Sequence, residues 1–321
     1  MKDKLMLVLA CVLNIVMLAF CVFYINEPQN PEITNPSVTK ETIDIPDSKK
    51  INVNHNGNIV SMDMEEYLVN VVAGEVYPTF LKEAIKAQAV AARTYLVYKM
   101  EHGGCANGGD ICTESSHCQA YKTKEDMLKS WGENYEEYYT LIQDAVYSTK
   151  GEIITYESKP ICALYHSLSY GKTEDSVAVF GGTQPYLTSV SSPVSEEFQA
   201  VTQSFLKKEF LNKVNEAFSL NLTEINIKII SYTSAGRVST LKLGEKSVKA
   251  TALRKALGLR STDFTFEKTK DGITFFTKGY GHGVGLSQFG ANELAKNGKT
   301  YKEILTHYYT GTNIQILKSE Q

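Results

Sequence analysis

An uncharged, largely apolar run of 21 residues, 5–25, lies close to the N-terminus of the chain. A helix of this length, at about 1.5 Å per residue, crosses the hydrocarbon core of a bilayer. The run is long for the apolar region of a cleaved signal peptide, and it shows no small-x-small cleavage site. Lipoprotein processing at Cys21 would need a small residue at the preceding position, which is Phe20. The sequence therefore predicts an uncleaved transmembrane anchor over 1–25.

The residues on either side of this run predict how the chain is oriented and where its folded part begins. Lys2 and Lys4 precede the run, whereas no basic cluster follows until Lys49 and Lys50, so the positive-inside rule places the bulk of the chain outside the cytoplasm. Residues 26–50 carry four of the eight prolines and few apolar side chains, which is typical of an extended linker. The folded region is expected over 51–321.

Composition limits the classes of function that this region can have. The chain is 43% hydrophobic and 21% charged, as in ordinary globular proteins, and its formal net charge is −3. A nucleic-acid-binding protein would normally carry a basic face and a high isoelectric point. The sequence therefore predicts no nucleic-acid partner.

Helical patterns dominate the front of the exported part, and strand patterns dominate its back. Asp63 and Glu66 match a capping box ahead of apolar residues at helical spacing. A second helix with an alanine stripe is expected after Pro78, and Asn134 with Glu137 predicts the cap of a third. Further helices are expected at 253–257, 288–295 and 301–309, and strands at 152–156, 161–168, 225–232, 238–243, 263–266 and 273–277, with a hairpin turn at 271–272. This order predicts a two-lobed α+β fold, with a helix-rich front part, a strand-rich part behind it and a cleft between them.

Four segments carry a resemblance to a known family: GEVYPTFLKEAIKAQAVAARTY (74–95), DICTESSHCQAY (110–121), YHSLSYGKTE (165–174) and GYGHGVGLSQFGA (279–291). In this order and spread they resemble the SpoIID/LytB family of stage II sporulation proteins. The resemblance covers nearly all of the exported part.

The resemblance implies a membrane-anchored lytic transglycosylase that acts in forespore engulfment during sporulation. Such an enzyme cleaves peptidoglycan glycan strands between N-acetylmuramic acid and N-acetylglucosamine and leaves 1,6-anhydro ends. The implied partners are glycan strands denuded of stem peptides, an amidase of the SpoIIP type and a membrane protein of the SpoIIM type. The implied location is the mother-cell membrane that faces the forespore.

Glu75 is the candidate catalytic residue, because a carboxyl group between two helices can project into a cleft. Apolar neighbours would raise its pKa and keep a proton available for a glycosidic oxygen, whereas the two adjacent helix ends act on that pKa in opposite directions. By its sequence context alone Glu75 could equally be a surface or capping residue. The resemblance implies that it acts as both acid and base.

Two other functions remain open from the sequence. A hydrolytic muramidase would need a second carboxylate, for which Glu174, Asp175 and Asp110 are candidates. A wall-binding protein without catalytic activity could instead stimulate an amidase.

A short loop contains Cys105, Cys112, His117 and Cys118, which can supply a closed tetrahedral site for a structural zinc ion. A disulfide among these thiols, or one with Cys162, is the alternative outside the cytoplasm. The family pattern covers the last three ligands but usually has a histidine near position 105. His102 is therefore the alternative to Cys105 as the fourth ligand.

Substrate contacts are expected from three further segments. A glycine-rich turn before a helix allows a backbone to approach a sugar, although its histidine could equally be a buried residue that supports the turn. The end of a strand is a usual place for ligand groups, and an arginine on the helix after Glu75 could orient a carboxyl group or form a surface salt bridge. The candidate substrate-binding residues are Arg93, Tyr165, Ser167, Thr173, Glu174, His282, Ser287 and Gln288.

Overall fold

The computed structural model describes residues 49–317. The predicted anchor, 1–25, lies outside the described residues, as does nearly all of the predicted linker, 26–50. Within 49–317, no helix combines the length and the apolar character that crossing a membrane requires.

Helices form most of the front of the described chain, as predicted. Asp63 caps the first one, since its Oδ1 accepts hydrogen bonds from the backbone N–H groups of Glu65 and Glu66. The α-helices are α1 (Met64–Glu75), α2 (Lys82–Glu101), α3 (Lys124–Trp131), α4 (Tyr135–Tyr147), α5 (Ser176–Phe180), α6 (Lys207–Phe218), α7 (Ala250–Leu257), α8 (Gln288–Lys296) and α9 (Tyr301–Tyr308), with a 3-10 turn at Gly132–Asn134.

The strands form several small sheets. They are β1 (Lys50–His55), β2 (Asn58–Asp63), β3 (Ile111–Cys112), β4 (Glu152–Tyr156), β5 (Lys159–Pro160), β6 (Tyr165–His166), β7 (Gly171–Lys172), β8 (Ser191–Ser192), β9 (Val201–Leu206), β10 (Ile227–Tyr232), β11 (Val238–Leu243), β12 (Lys246–Lys249), β13 (Asp263–Lys268), β14 (Gly272–Lys278), β15 (Leu286–Ser287) and β16 (Asn313–Ile316). The sheet orders are β2-β1-β3, β16-β4-β5, β10-β11-β12, β13-β14-β9, β15-β6 and β7-β8. The α+β class is confirmed.

Two hydrophobic cores hold these elements together. The first contains the buried alanine stripe of α2 together with residues such as Leu68 and Tyr308. The second contains Phe210, Leu241 and Phe275 and joins α6 and α7 to the sheets of β9–β14. None of the residues assigned to the second core lines the pocket described below, and the predicted cleft between the two lobes stays a prediction.

The local predictions are confirmed in part. The 271–272 hairpin is confirmed, because β13 and β14 pair in antiparallel register with Lys268 opposite Ile273. The long strand predicted over 161–168 is reduced to Tyr165–His166. Asn134 makes no capping hydrogen bond, because a 3-10 turn occupies the start of α4.

Arg93 is a correction to the predicted substrate contacts. Its side chain is fully buried, and its Nε and Nη2 atoms donate to the two carboxylate oxygens of Glu65 at 3.0 and 2.5 Å. It also donates to the backbone carbonyls of Val146 and Glu152. Arg93 therefore joins α1, α2, α4 and β4 inside the first core, where a substrate does not reach it.

Candidate active site

A pocket of about 900 Å³ surrounds the Glu75 carboxyl group. This volume is in the range of sites that hold small molecules and sugar units. The lining comes from residues 74–79, 163–167 and 280–282, and from Tyr95, Ser115, Cys118, Lys122, Ser130, Trp131, Tyr138 and Gln288. Among these described lining residues, Glu75 is the one carboxylic acid.

Glu75 is the last residue of α1, and its partly exposed carboxyl group is held by three donors. Oε1 accepts from the backbone N–H of Ala120 at 2.7 Å and from the hydroxyl of Tyr165 at 3.2 Å. Oε2 accepts from Nε2 of Gln288 at 3.4 Å. These contacts orient the carboxyl group toward the pocket, and within 49–317 no lysine or arginine forms an ion pair with it.

Burial decides the sign of the pKa shift at Glu75, which the sequence left open. Desolvation raises the pKa of Glu75, because the charged form loses water contacts in the pocket wall. Hydrogen bonds from Ala120, Tyr165 and Gln288 lower the same pKa, and burial outweighs them. The protonated form of Glu75 therefore persists to a higher pH than that of an ordinary glutamate.

One pair of parallel strands positions the two side-chain donors to Glu75. β6 pairs with β15, and Tyr165 lies opposite Leu286. Gln288 follows β15 directly as the first residue of α8. This pairing needs glycine at position 285, where φ is +73° and a Cβ atom would overlap the carbonyl oxygen of Leu164. Part of the predicted glycine-rich turn thus brings Gln288 to the Glu75 carboxyl group.

His166 and His282 line one end of the pocket as neutral imidazoles. Burial lowers the pKa of His282 to about 4, and it lowers the pKa of His166 well below the usual value. The backbone N–H of Val284 donates to Nδ1 of His282 at 3.1 Å, so this nitrogen acts as an acceptor. His282 therefore both supports the turn and faces the pocket.

The structure brings together only part of the predicted substrate-binding set. Tyr165, Ser167, His282 and Gln288 line the pocket. Arg93, Thr173, Glu174 and Ser287 do not line it and are almost completely buried.

The three corrected residues other than Arg93 have structural partners. Ser287 caps α8 through the N–H of Gly290 and also accepts from the N–H of Ser169. Thr173 exchanges hydrogen bonds with Val190, and Glu174 accepts from the hydroxyl of Thr233 at 2.6 Å. Their polar atoms are satisfied inside the fold, so they support the loops rather than contact a ligand.

The candidate second carboxylates lie elsewhere as well. Glu174, Asp175 and Asp110 are absent from the described lining of the pocket. Asp175 accepts from the N–H of Ser189 and the hydroxyl of Ser234, and Asp110 accepts from the N–H of Asn52. None of them is placed to share a glycosidic bond with Glu75.

Cys105, Cys112, His117 and Cys118 form a compact group of potential metal ligands. Nδ1 of His117 lies 3.4, 3.3 and 3.4 Å from the Sγ atoms of Cys105, Cys112 and Cys118. All four ligand atoms lie within 4.8 Å of one another. A tetrahedral zinc ion with ligand distances of about 2.0–2.3 Å would give edges of roughly 3.5–3.8 Å. The donor set and its spacing fit a divalent metal ion.

The structure favours Cys105 over His102 as the fourth ligand. His102 is exposed, stacks on Tyr98 with ring centroids 4.0 Å apart and lies next to the Tyr98 carbonyl oxygen, 2.7 Å from its Nδ1. Cys162 is a free thiol and is not part of the cluster.

The metal-ligand loop leads directly into the contacts of Glu75. Gln119 follows Cys118 and donates through Nε2 to the Tyr165 hydroxyl at 2.9 Å. Ala120 then supplies the shortest hydrogen bond to Glu75. Ordering of the loop thus positions two contacts in the candidate active site.

Several pocket residues were not predicted from the sequence. Lys122, Ser130, Trp131 and Tyr138 line the pocket, and the Ala120 amide binds Glu75. A backbone amide has no side-chain signal in a sequence. Lys122 follows the second resembling segment, 110–121, by one residue, which is the one signal that could have pointed to it.

Comparisons with known proteins give a consistent result. A family model for SpoIID, described as "Stage II sporulation protein", matches residues 53–156. The chain is 40% identical to stage II sporulation protein D of Bacillus subtilis strain 168 over 264 residues, which cover 81% of this chain and 76% of the relative. It is 38% identical to stage II sporulation protein D of Bacillus amyloliquefaciens, with the same two coverages. An amidase enhancer of Bacillus subtilis is 28% identical over 77% of this chain and 40% of its own length.

Proposed function

The chain belongs to the stage II sporulation protein D family, and on this premise we propose that it is a peptidoglycan lytic transglycosylase with Glu75 as its acid and base. The observation that carries this proposal is the pocket itself. It holds Glu75 as its one carboxylic acid among the described lining residues, and burial raises the pKa of that acid. A single protonated carboxyl in a pocket suits a reaction whose nucleophile belongs to the substrate.

The reaction begins with proton donation by Glu75 to the oxygen that links N-acetylmuramic acid to the next sugar. The bond between this oxygen and C1 breaks, and N-acetylglucosamine leaves with a free hydroxyl group. The Glu75 carboxylate then takes the proton of the C6 hydroxyl as O6 bonds to C1. Glu75 ends protonated, and the muramic acid carries a 1,6-anhydro ring, so no water is consumed.

The surroundings of Glu75 suit both of its protonation states in this cycle. Donors from Ala120, Tyr165 and Gln288 stabilise the carboxylate formed in the first half. Burial favours the protonated form that starts the cycle. A hydrolytic muramidase is less well supported, because Glu174, Asp175 and Asp110 lie outside the pocket lining.

The metal site is proposed to hold a structural zinc ion through Cys105, Cys112, His117 and Cys118. Four protein ligands fill a tetrahedral shell, so such an ion has no open position for substrate. Its effect on the reaction is to order the loop that carries Gln119 and Ala120.

Product analysis tests the reaction type. Full-length protein incubated with denuded glycan strands should release fragments ending in 1,6-anhydro-N-acetylmuramic acid. These fragments are lighter by one water than hydrolytic products and have no reducing end. Mass spectrometry of a digest in H₂¹⁸O should find no labelled oxygen at the cleaved C1, and labelled reducing ends would identify a muramidase instead.

The 28% identical amidase enhancer favours a second candidate function, in which the pocket binds glycan without cleaving it. Two incubations separate these functions, one with denuded strands and one with peptide-bearing strands and an added amidase of the SpoIIP type. Unchanged denuded strands, together with faster peptide release from the peptide-bearing strands, would support the enhancer and exclude the transglycosylase.

We also propose that the protein is anchored in the mother-cell membrane facing the forespore and acts there in engulfment beside a SpoIIP-type amidase and a SpoIIM-type membrane protein. The uncharged run 5–25 and the proline-rich residues that follow support the anchor. Expressed at full length, the chain should sediment with membranes and be degraded by protease added outside protoplasts. A chain beginning at residue 26 should remain in the supernatant. Recovery of a mature form that starts near residue 21 would contradict the anchor.

A further inference from the structure

Lys122 is the one side chain lining the pocket that carries a positive charge at neutral pH, counted among the described residues. The other titratable bases of the lining, His166 and His282, are neutral because burial lowers the pKa of each. The question is whether a carboxylate of the protein pairs with the Lys122 ammonium group, and the contacts of Lys122 answer it.

The protein holds Lys122 in place without neutralising it. Its backbone N–H donates to the carbonyl of Asn70 at 3.0 Å, and its carbonyl accepts from the Asn70 amide at 2.7 Å. Asn70 precedes Glu75 on α1 by five residues, about 7.5 Å along the helix axis. The α1 helix therefore fixes the lysine backbone and the catalytic carboxyl relative to each other.

The side chain of Lys122 is oriented by neutral groups. Its Nζ lies 3.4 Å from the Ser130 hydroxyl and 5.6 Å from the centre of the Trp131 ring. Within 49–317, no carboxylate oxygen forms an ion pair with it. The Asp126 carboxylate accepts its hydrogen bonds from Thr123, the cap of α3, and these bonds lower the pKa of Asp126. The charge of Lys122 contributes less to the same lowering.

We propose that Lys122 binds the lactyl carboxylate of N-acetylmuramic acid and thereby selects glycan strands from which the stem peptide has been removed. The inference rests on the proposed function, since it assigns a substrate group to the same pocket. An ammonium has three N–H donors, and one of them serves Ser130, so two remain for a carboxylate.

Removal of the stem peptide creates the charge that Lys122 recognises. In an intact strand the lactyl carboxyl is bound as an amide, which is neutral and gives an ammonium only a weaker hydrogen bond. Hydrolysis of that amide leaves a carboxylate at the same position.

The test compares binding of two ligands that differ at the lactyl group, which is charged in one and a neutral amide in the other. One is denuded strands of alternating N-acetylglucosamine and N-acetylmuramic acid, and the other is the same strands with their carboxylates converted to methylamides. Trp131 is the single tryptophan of the chain and contacts Lys122, so its fluorescence reports binding at this position. Both ligands are titrated into full-length protein in detergent that carries Glu75→Gln, which prevents cleavage.

In this background, Lys122→Met should weaken binding of the carboxylate strands about tenfold, since a hydrogen bond to a charged group is lost. Its affinity for the methylamide strands should change less than about twofold. Lys122→Arg should retain the preference for the carboxylate. Lys129→Met removes a charge from an exposed position of α3 and should leave both affinities unchanged.

An unaltered ratio of the two affinities in Lys122→Met would overturn the inference, as would failure of the carboxylate strands to bind. Far-UV circular dichroism and the Tm of each variant establish that the fold is retained. Cleavage by the protein with Glu75 intact is measured in parallel. If the strands bind with the expected preference but are not cleaved, the proposed transglycosylase activity is wrong and the proposed role of Lys122 in binding is retained.

Discussion

Glu75→Gln should bind glycan strands with nearly unchanged affinity and cleave them about 100- to 10,000-fold more slowly than the wild type, which is the usual contribution of acid–base catalysis. Glutamine keeps the size of the side chain, and its amide can still accept from the Ala120 N–H. It cannot donate a proton to the leaving oxygen. The measurement is the release of 1,6-anhydro fragments under single-turnover conditions, together with glycan binding by the same variant.

Glu66→Gln is the matched control, since Glu66 lies on the same helix and is exposed outside the pocket. It should cleave at the wild-type rate. Full cleavage by Glu75→Gln would show that another group supplies the proton and would remove the basis of the proposed mechanism.

The pH profile of the wild type adds an independent check on Glu75. The first step needs the protonated carboxyl, and burial raises its pKa. Cleavage should therefore fall as the pH rises through that raised pKa, at a higher pH than an ordinary glutamate would give. The residual activity of Glu75→Gln should lack this decline.

Cys112→Ser should lose the bound metal and destabilise the protein by more than about 4 kcal/mol, since loss of a metal site is among the largest single-residue effects. For a folded region of this size, the Tm should fall by on the order of 10 °C. Wild-type protein should contain about one zinc per chain by elemental analysis, and the variant close to none. Cleavage should also fall, because the loop that carries Ala120 to Glu75 is no longer ordered.

Two controls locate the site within the loop. Cys162→Ser replaces a thiol outside the cluster, and His102→Ala removes the alternative ligand, which stacks on Tyr98 instead. Both variants should keep the metal and the wild-type Tm. Protein that contains no metal and shows a Cys112–Cys118 disulfide by mass spectrometry would contradict the zinc assignment.

The parts of the fold that were predictable depend on interactions between residues close in sequence. The Asp63 cap lies within one helical turn of its partners, and the 271–272 turn joins two adjacent strands. The cysteines and histidine of the proposed metal site lie within 14 residues. Short-range patterns of this kind constrain the backbone wherever the segment is placed.

The predictions that failed concern burial, which a local pattern does not specify. Thr173, Glu174 and Ser287 have the polar groups expected of a binding site, but packing directs these groups toward partners inside the fold. Arg93 was open to a substrate contact or a surface salt bridge. Instead it forms a buried ion pair with a residue 28 positions earlier in the chain.

The amino-acid sequence alone predicted the α+β class and grouped the four metal-ligand candidates, because residue chemistry and periodicity are local properties. Glu75 became the catalytic candidate through the family resemblance, and its role stays a prediction. The tertiary structure decided that Glu75 is the pocket's one carboxylic acid among the described residues and that the Ala120 amide and Gln288 hold it. It also placed Lys122 in the same pocket. These facts join residues 45 to 213 positions apart, and such contacts arise only when hydrophobic burial brings distant segments together.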